Sequence, residues 1–367
     1  MLKFLPLDAH SAPRRTSARE SLIRTYNLCL LGLGNVNRSL VQLLRDREQE
    51  LRERYGISWR ITGVASRRLG WIADVGGLDS SLLLGPSAGV PDANLRTGAP
   101  REPTHELSDV REWLAAAEAD VLFEATSLNV GNGQPGVDHI RAALEHGAHA
   151  ITANKGPVVH AYRELRDLAE ERGKRFLFES TVMDGVPIFS LFAEMPGVRL
   201  DGFHGILNST TNVILSEMEN GLNFDAALKK AQELGVAETD AAYDIDGWDA
   251  AMKTAALVNV LMDVPISADE IEREGIRELT MQGARNARRD GWPFKLVCRA
   301  KRDGNSVTAS VRPETVRSGE PMARIAGTSS YVYFETDIFP GLAVTEENPG
   351  LFATAYAMLA DFVRAVR

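Results

Sequence analysis

The sequence predicts an α/β protein, a doubly wound parallel sheet joined to a second, α+β domain. Three observations carry that expectation. An apolar run at residues 28–31 meets Gly32-Leu33-Gly34 and is followed by apolar residues at helical spacing. Short apolar segments then alternate with amphipathic ones as far as "KRFLFEST", residues 174–181. Beyond Val186, helical patterns and alternating strand-like segments cluster separately. Alternation of strands and helices is the signature of a parallel sheet with helical crossovers, whereas strands set apart from the series point to an α+β unit.

Taken in order, Val36, Leu40, Leu43, Leu44 and Leu51 predict one helix with Arg and Glu on its opposite face. "ISWRITGVASRR" is a second strand ending near Ala65, so strand, glycine turn, helix and strand make a right-handed βαβ unit. "DVLFEATS" and "HAITANKG" are further strands with polar tips, separated by a helix over residues 137–146. "LDGFHGILNS" opens the second domain as a strand. Helices are expected over 211–219, 225–234, 248–261, 278–289 and 350–366. "FKLVCRAKR", "SVTASV" and "SYVYFETD" alternate as strands do. The last helix is expected to return to the first domain. The chain thus divides into an N-terminal arm (1–25), a first domain (26–156 with 345–367) and a second domain (157–344).

A length of 367 residues suits two domains. A net charge of −9 argues against a nucleic-acid binder, which carries a basic stripe. No run approaches the roughly 20 apolar residues of a membrane span. Arg14-Arg15 precede no apolar core, so an export signal is not expected and the protein is read as cytoplasmic. Cys29 and Cys298 lie in apolar strands and are read as buried, reduced thiols.

Gly32-Leu33-Gly34-Asn35-Val36-Asn37 is a dinucleotide fingerprint without its third glycine. The two glycines permit a tight turn and close approach of the backbone to a pyrophosphate, which the helix N-terminus then faces. In this setting the first domain is Rossmann-type. The second strand ends in Ala65-Ser66-Arg67-Arg68, with no carboxylate for the ribose hydroxyls of NAD. Arginine suits a 2′-phosphate, so NADP is the expected cofactor, with Arg67 its contact and NAD the alternative. Lys155, just past a parallel strand, stands at the edge where open sheets bind ligands.

"AETDAAYDIDGWDAAMK" (237–253) concentrates Glu238, Asp240, Asp244, Asp246 and Asp249 ahead of Lys253. Asp249 and Lys253 are i and i+4, so they meet on one helix face. On spacing alone the pair is a solvated helix pair more often than a catalytic one. The spacing lacks the glycine and terminal glutamate of an EF-hand, and Asp246 is expected as a helix N-cap.

Six segments in order resemble the homoserine dehydrogenases: the glycine turn, "EATS" (124–127), "TANKGP" (152–157), "FESTVMDGVPI" (178–188), "GILNSTTNVILSEM" (205–218) and "AQELGVAETDAAYDIDGWDAAMK" (231–253). The resemblance implies interconversion of L-homoserine and L-aspartate 4-semialdehyde. It places the catalytic lysine at Lys253 with Asp249 as its acidic partner, and a second active-site lysine at Lys155. It assigns Glu238, Asp244, Asn208 and Thr210 to the amino-acid substrate. Thr126, Ser127, Asn154 and Gly350 join Gly32, Gly34, Asn35 and Val36 around the cofactor. It also implies a sodium-like cation on the backbone carbonyls of Glu179, Val182, Asp184 and Val186, and a homodimer built through the second domain, to which "SYVYFET" offers an apolar strand.

The chain departs from the family's pattern in three places. Asp184 stands where a small residue is usual. "VTEENPGLFATAYAM" (344–358) keeps one glycine of a glycine-rich loop and carries Glu346 and Glu347, and residues 70–106 have no counterpart. Nothing after Arg367 is expected to bind a regulatory amino acid. These departures keep two other readings in play, a dehydrogenase of another amino acid or amino alcohol and a catalytically silent nucleotide binder.

Overall fold

The structure is a computed structural model that describes residues 23–84 and 109–367. The expected N-terminal arm, apart from its last residues, and most of the unmatched 70–106 stretch lie outside the described residues.

The first sheet holds β1 (Arg24–Leu31), β2 (Ile57–Ser66), β3 (Gly70–Ala73), β4 (Val121–Glu124), β5 (His149–Thr152) and β6 (Phe176–Leu177), in the order β3-β2-β1-β4-β5-β6. All neighbours pair in parallel except β3, which runs antiparallel to β2 along one edge. The central strands are apolar throughout because helices cover both faces. At Gly63, a Cβ would meet Cys29 Sγ at 2.6 Å and the Trp113 ring at 2.9 Å. Trp113 fills that gap, and its indole N–H donates to the Ile72 carbonyl at 2.8 Å, fastening β3 to the helix below. Both cysteines are buried and unpaired. Burial pushes the Cys29 thiol up to about 12 and the Cys298 thiol up to about 11.

Two expectations change here. The helix read over residues 36–51 is two helices, Asn35–Asp46 and Glu48–Tyr55, because Arg47 leaves helical geometry at φ −107° and ψ 7°. The first sheet also extends past residue 156, since β6 pairs with β5.

The second sheet holds β7 (Leu200–Ile206), β8 (Glu272–Arg273), β9 (Phe294–Asp303), β10 (Ser306–Thr315), β11 (Ser330–Thr336) and β12 (Leu342–Glu346), ordered β12-β11-β7-β9-β10-β8. β12 was read as loop. It is a short edge strand whose pairing with β11 supplies the order that its own composition does not. β11 lies inside the sheet, with Tyr331, Val332 and Phe334 buried. One face of this sheet packs on the helices Ser209–Glu219 and Trp248–Leu257. That core is continuous with one side of the first sheet.

The final helix, Leu351–Val366, returns to the first sheet as expected. Met358, Leu359 and Phe362 join Tyr26, Leu28, Leu40, Val64 and Phe123 in one cluster. The Phe362 ring meets Tyr26 and Phe123 edge-on at 5.8 and 5.9 Å between centroids. Asp361 Oδ2 accepts from the Glu179 N–H at 2.9 Å, and Arg364 bonds the carboxylates of both Asp361 and Glu179. Burial pushes the Asp361 carboxyl up to about 7 despite Arg364. Phe362→Ala should therefore cost about 3–5 kcal/mol of stability, read by urea unfolding, because it empties a fully buried site.

Candidate active site

Parallel sheets bind ligands where strand order reverses, and here that point lies between β1 and β4. A cleft of about 780 Å³ opens there. Gly32 turns at φ +86°, and a Cβ on it would stand 2.5 Å from the Ala125 carbonyl oxygen, so no other residue fits. Gly34 faces open space and caps the helix Asn35–Asp46 without a side chain. The first turn of that helix carries no acidic residue, which leaves its N–H groups for an anion. Asn37, in place of a third glycine, is fully buried and donates to the Gly32 carbonyl at 2.9 Å, tying the turn together. These features fit the pyrophosphate of a dinucleotide.

The cleft is lined by Gly32, Gly34 and Asn35 and by Thr126 and Ser127, all expected there. Arg67 lines it too, joined by Arg38, Arg68 and Trp71, and none of the lining residues is a carboxylate. Val36 packs into the core beneath, and Gly350 is an exposed helix cap. Asn154 caps the helix Lys155–His160, accepting from the Gly156 N–H at 2.9 Å, while its buried Nδ2 has no partner.

Glu124, to which the sequence reading gave no role, organises the strand tips. It is fully buried, and it accepts from the Thr126 N–H at 2.9 Å and the Thr152 hydroxyl at 2.6 Å. Burial alone would raise its pKa, but His139 and the hydroxyls of Thr126 and Thr152 lower it below the ordinary value. A glutamate ending an apolar strand was the available signal.

The second centre gathers residues from both halves of the chain. Lys155 Nζ lies 3.2 Å from Asp249 Oδ1, and Lys253 Nζ lies 3.0 Å from Asp249 Oδ2. Lys253 also donates to the Leu207 carbonyl at 2.7 Å. Asn208 caps the helix Ser209–Glu219 through its Oδ1, and its Nδ2 donates to Asp244 at 2.7 Å and to Asp249 at 2.9 Å. One amide thus spaces two carboxylates that face two ammonium groups.

The electrostatics follow from that layout. Burial raises the Asp249 pKa, but Lys253, Lys155 and Asn208 outweigh it and hold the carboxyl well below its ordinary range. Asp244 is pushed up by burial and by Asp249, with Asn208, Lys253 and Thr210 pulling against them. Burial would lower Lys253, yet Asp249, Asp184 and Asp244 raise it above the usual lysine value. Lys253 is therefore held as an ammonium by the acids around it.

Thr210 sits beside Asp244 with its hydroxyl donating to the Val236 carbonyl at 3.1 Å. Glu238 is exposed and stays outside the buried cluster. Asp246 is not an N-cap. The left-handed Gly247 (φ +82°) takes that position, and the Asp246 carboxylate receives Arg277 at 2.8 Å.

The loop expected to hold a cation fits one only in part. The carbonyl of Val186 accepts from the Ile188 N–H at 2.8 Å, and the Glu179 carboxylate is taken by the N–H groups of Phe189 and Ser190. Val182 is buried. Asp184, at φ +48°, accepts from the Thr354 hydroxyl at 2.9 Å. Gly185 packs so closely that a Cβ would lie 2.5 Å from the Ala353 oxygen. Glu346 on β12 is pushed up to about 7 by burial and by Asp184, while the Gly185 N–H, Ser330 and Lys253 pull it down. Asp184 and Glu346 thus both act electrostatically on the surroundings of Lys253.

The family model described as homoserine dehydrogenase matches residues 187–363, and that of the homoserine dehydrogenase NAD binding domain matches residues 32–179. The chain is 34% identical to an NAD(+)-dependent homoserine dehydrogenase of Pseudomonas canavaninivorans, over 92% of this chain and 95% of that one. It is 32% identical to a homoserine dehydrogenase of Methanocaldococcus jannaschii, over 92% and 97%. Among solved structures, a homoserine dehydrogenase from Thiobacillus denitrificans superposes with a TM-score of 0.77 at 28% identity, over 94% of this chain and 74% of that one. A hyperthermophilic archaeal homoserine dehydrogenase mutant in complex with NADPH gives 0.77 at 26%, over 94% and 98%.

Asp249→Asn should leave two half-enclosed ammonium groups without their anion and cost about 3 kcal/mol of stability at pH 7, read by denaturant unfolding. The wild-type contribution from Asp249 is fully present above the unfolded carboxylate value, near pH 4, and is lost as pH falls toward its depressed folded value. The variant should lack that acid-dependent component.

Proposed function

The chain belongs to the homoserine dehydrogenase family, and we infer that its Lys155–Asp249–Lys253 centre interconverts L-homoserine and L-aspartate 4-semialdehyde. The observation that carries this reading is one buried carboxylate held between two lysines at the tip of β5, beside a nucleotide cleft. When bound, the nicotinamide supplies or accepts the hydride. The side chains handle the proton. In aldehyde reduction Lys253 donates to the developing alkoxide, and Asp249 fixes the direction of its N–H groups. In homoserine oxidation the same lysine must first lose its proton to become the acceptor. Lys155, on the other carboxylate oxygen, presents a second cation to the substrate's oxygens. Asp244, with Thr210 beside it, faces the amino-acid end.

Because the neighbouring acids raise Lys253, it stays protonated through neutral pH. Homoserine oxidation, followed by absorbance of reduced nicotinamide, should therefore speed up as pH rises into the alkaline range, and aldehyde reduction should slow. Lys253→Ala should lower kcat in both directions by about 10²–10⁴-fold, with nucleotide affinity kept. Unchanged kcat would remove Lys253 from the chemistry.

The cofactor preference proposed is NADP. Arg67, at the end of β2, lines the cleft together with Arg38 and Arg68, and guanidinium groups there suit a 2′-phosphate. The known relatives point both ways, one being NAD(+)-dependent and another bound to NADPH. Arg67→Ser should lower kcat/KM for NADP by about tenfold or more while sparing NAD. Equal values for the two cofactors in the wild type would overturn the preference. A homodimer is also proposed, across the outer face of the second sheet, where His204 and Tyr333 stack with ring centroids 5.0 Å apart. Light scattering giving the mass of one chain would refute it. A monovalent cation at 179–186 remains part of the proposal, supported by the left-handed turn at Met183-Asp184, and no catalytic step runs through it.

A further inference from the structure

Among the buried polar atoms without a partner, one lies within reach of the acids of the centre. Tyr243, on the short helix Ala242–Ile245, packs its ring against the main core. Its hydroxyl is buried and has no hydrogen-bond partner. The charged groups that bear on it are Asp249 and Asp244, the two carboxylates of the centre. A buried hydroxyl without a partner is unfavourable, and phenylalanine would fill the same space without that penalty.

The bonding around it shows what is lacking. Asp249 spends Oδ1 on Lys155 and Oδ2 on Lys253 and Asn208. Asp244 receives Asn208 on Oδ1, and Thr210 is a further hydrogen-bonding neighbour. The lysines and the two aspartates balance in charge, so the centre offers a zwitterionic substrate no surplus anion. An α-ammonium has three N–H groups to place. The hydroxyl oxygen of Tyr243, within the electrostatic reach of Asp249 and Asp244, is an acceptor left without a donor.

We propose that Tyr243 is a substrate-binding residue whose hydroxyl oxygen accepts a hydrogen bond from the substrate's α-ammonium, next to Asp244, and so selects α-amino acids over hydroxy acids of the same length. This rests on the reading of the reaction given above. Burial, then Asp249 and Asp244, hold the phenol above its ordinary pKa, so it meets the substrate as a neutral group.

The test compares wild type and Tyr243→Phe on L-homoserine and on 4-hydroxybutanoate, which lacks the amino group, the latter followed as a substrate or as an inhibitor. The KM for L-homoserine should rise about tenfold or more with kcat changed little, as for a lost hydrogen bond to a charged group. The constant for 4-hydroxybutanoate should not move, and the free protein should melt at the same temperature or higher. An unchanged KM for L-homoserine overturns the proposal. So does an equal loss on both compounds, or a lowered melting temperature with a matching loss of kcat, which marks a structural role. Wild-type protein that binds nucleotide but does not turn over L-homoserine defeats the reaction itself, a result distinct from active wild type with an indifferent Tyr243.

Discussion

The arrangement turns on the Asp249 carboxylate, buried and shared between Lys155, Lys253 and Asn208. Burying a lone carboxylate or a lone ammonium is severely unfavourable, but each group here compensates the others. Lys155 comes from the helix after β5, Lys253 from the helix Trp248–Leu257, and Asn208 from the end of β7. The ion pairs therefore also join the two sheets. A charge lost at this point unbalances chemistry and architecture together.

The nucleotide side is organised by geometry rather than by charge pairs. Gly32 and Gly34 let the backbone come close, and Asn37 holds the turn by hydrogen bonds where a third glycine would have allowed tighter packing. Glu124 ties the ends of β4 and β5 through two threonine hydroxyls. The cleft is thus set by neighbouring strand tips of the first sheet, and Lys155, just past β5, links that edge to the lysine centre. That proximity is what hydride transfer requires of the scaffold.

The C-terminal segment also bears on the lysine centre. Asp184 and Glu346 belong to distant parts of the sequence yet influence each other beside Lys253. The loop at 182–186 is also pinned to the start of the final helix by Thr354 and by the close approach of Gly185 to Ala353.

By itself the sequence determined the features whose cause is local. Alternating apolar segments and helical spacing specified the doubly wound sheet. The glycine turn followed by a helix specified the nucleotide cleft, and the Asp249–Lys253 spacing put those two groups on one helix face. Long, ordered motifs carried the family. What it could not determine depends on partners distant along the chain. The edge strand β12 and the removal of Asp246 from its expected cap, where Arg277 takes its carboxylate, follow from tertiary packing. The third contact on Asp249, from Lys155, spans almost a hundred residues, and the unpartnered hydroxyl of Tyr243 becomes visible only once every neighbouring donor and acceptor is placed. Periodicity reports which face of an element is buried. Which buried polar groups face one another is decided by how the elements pack.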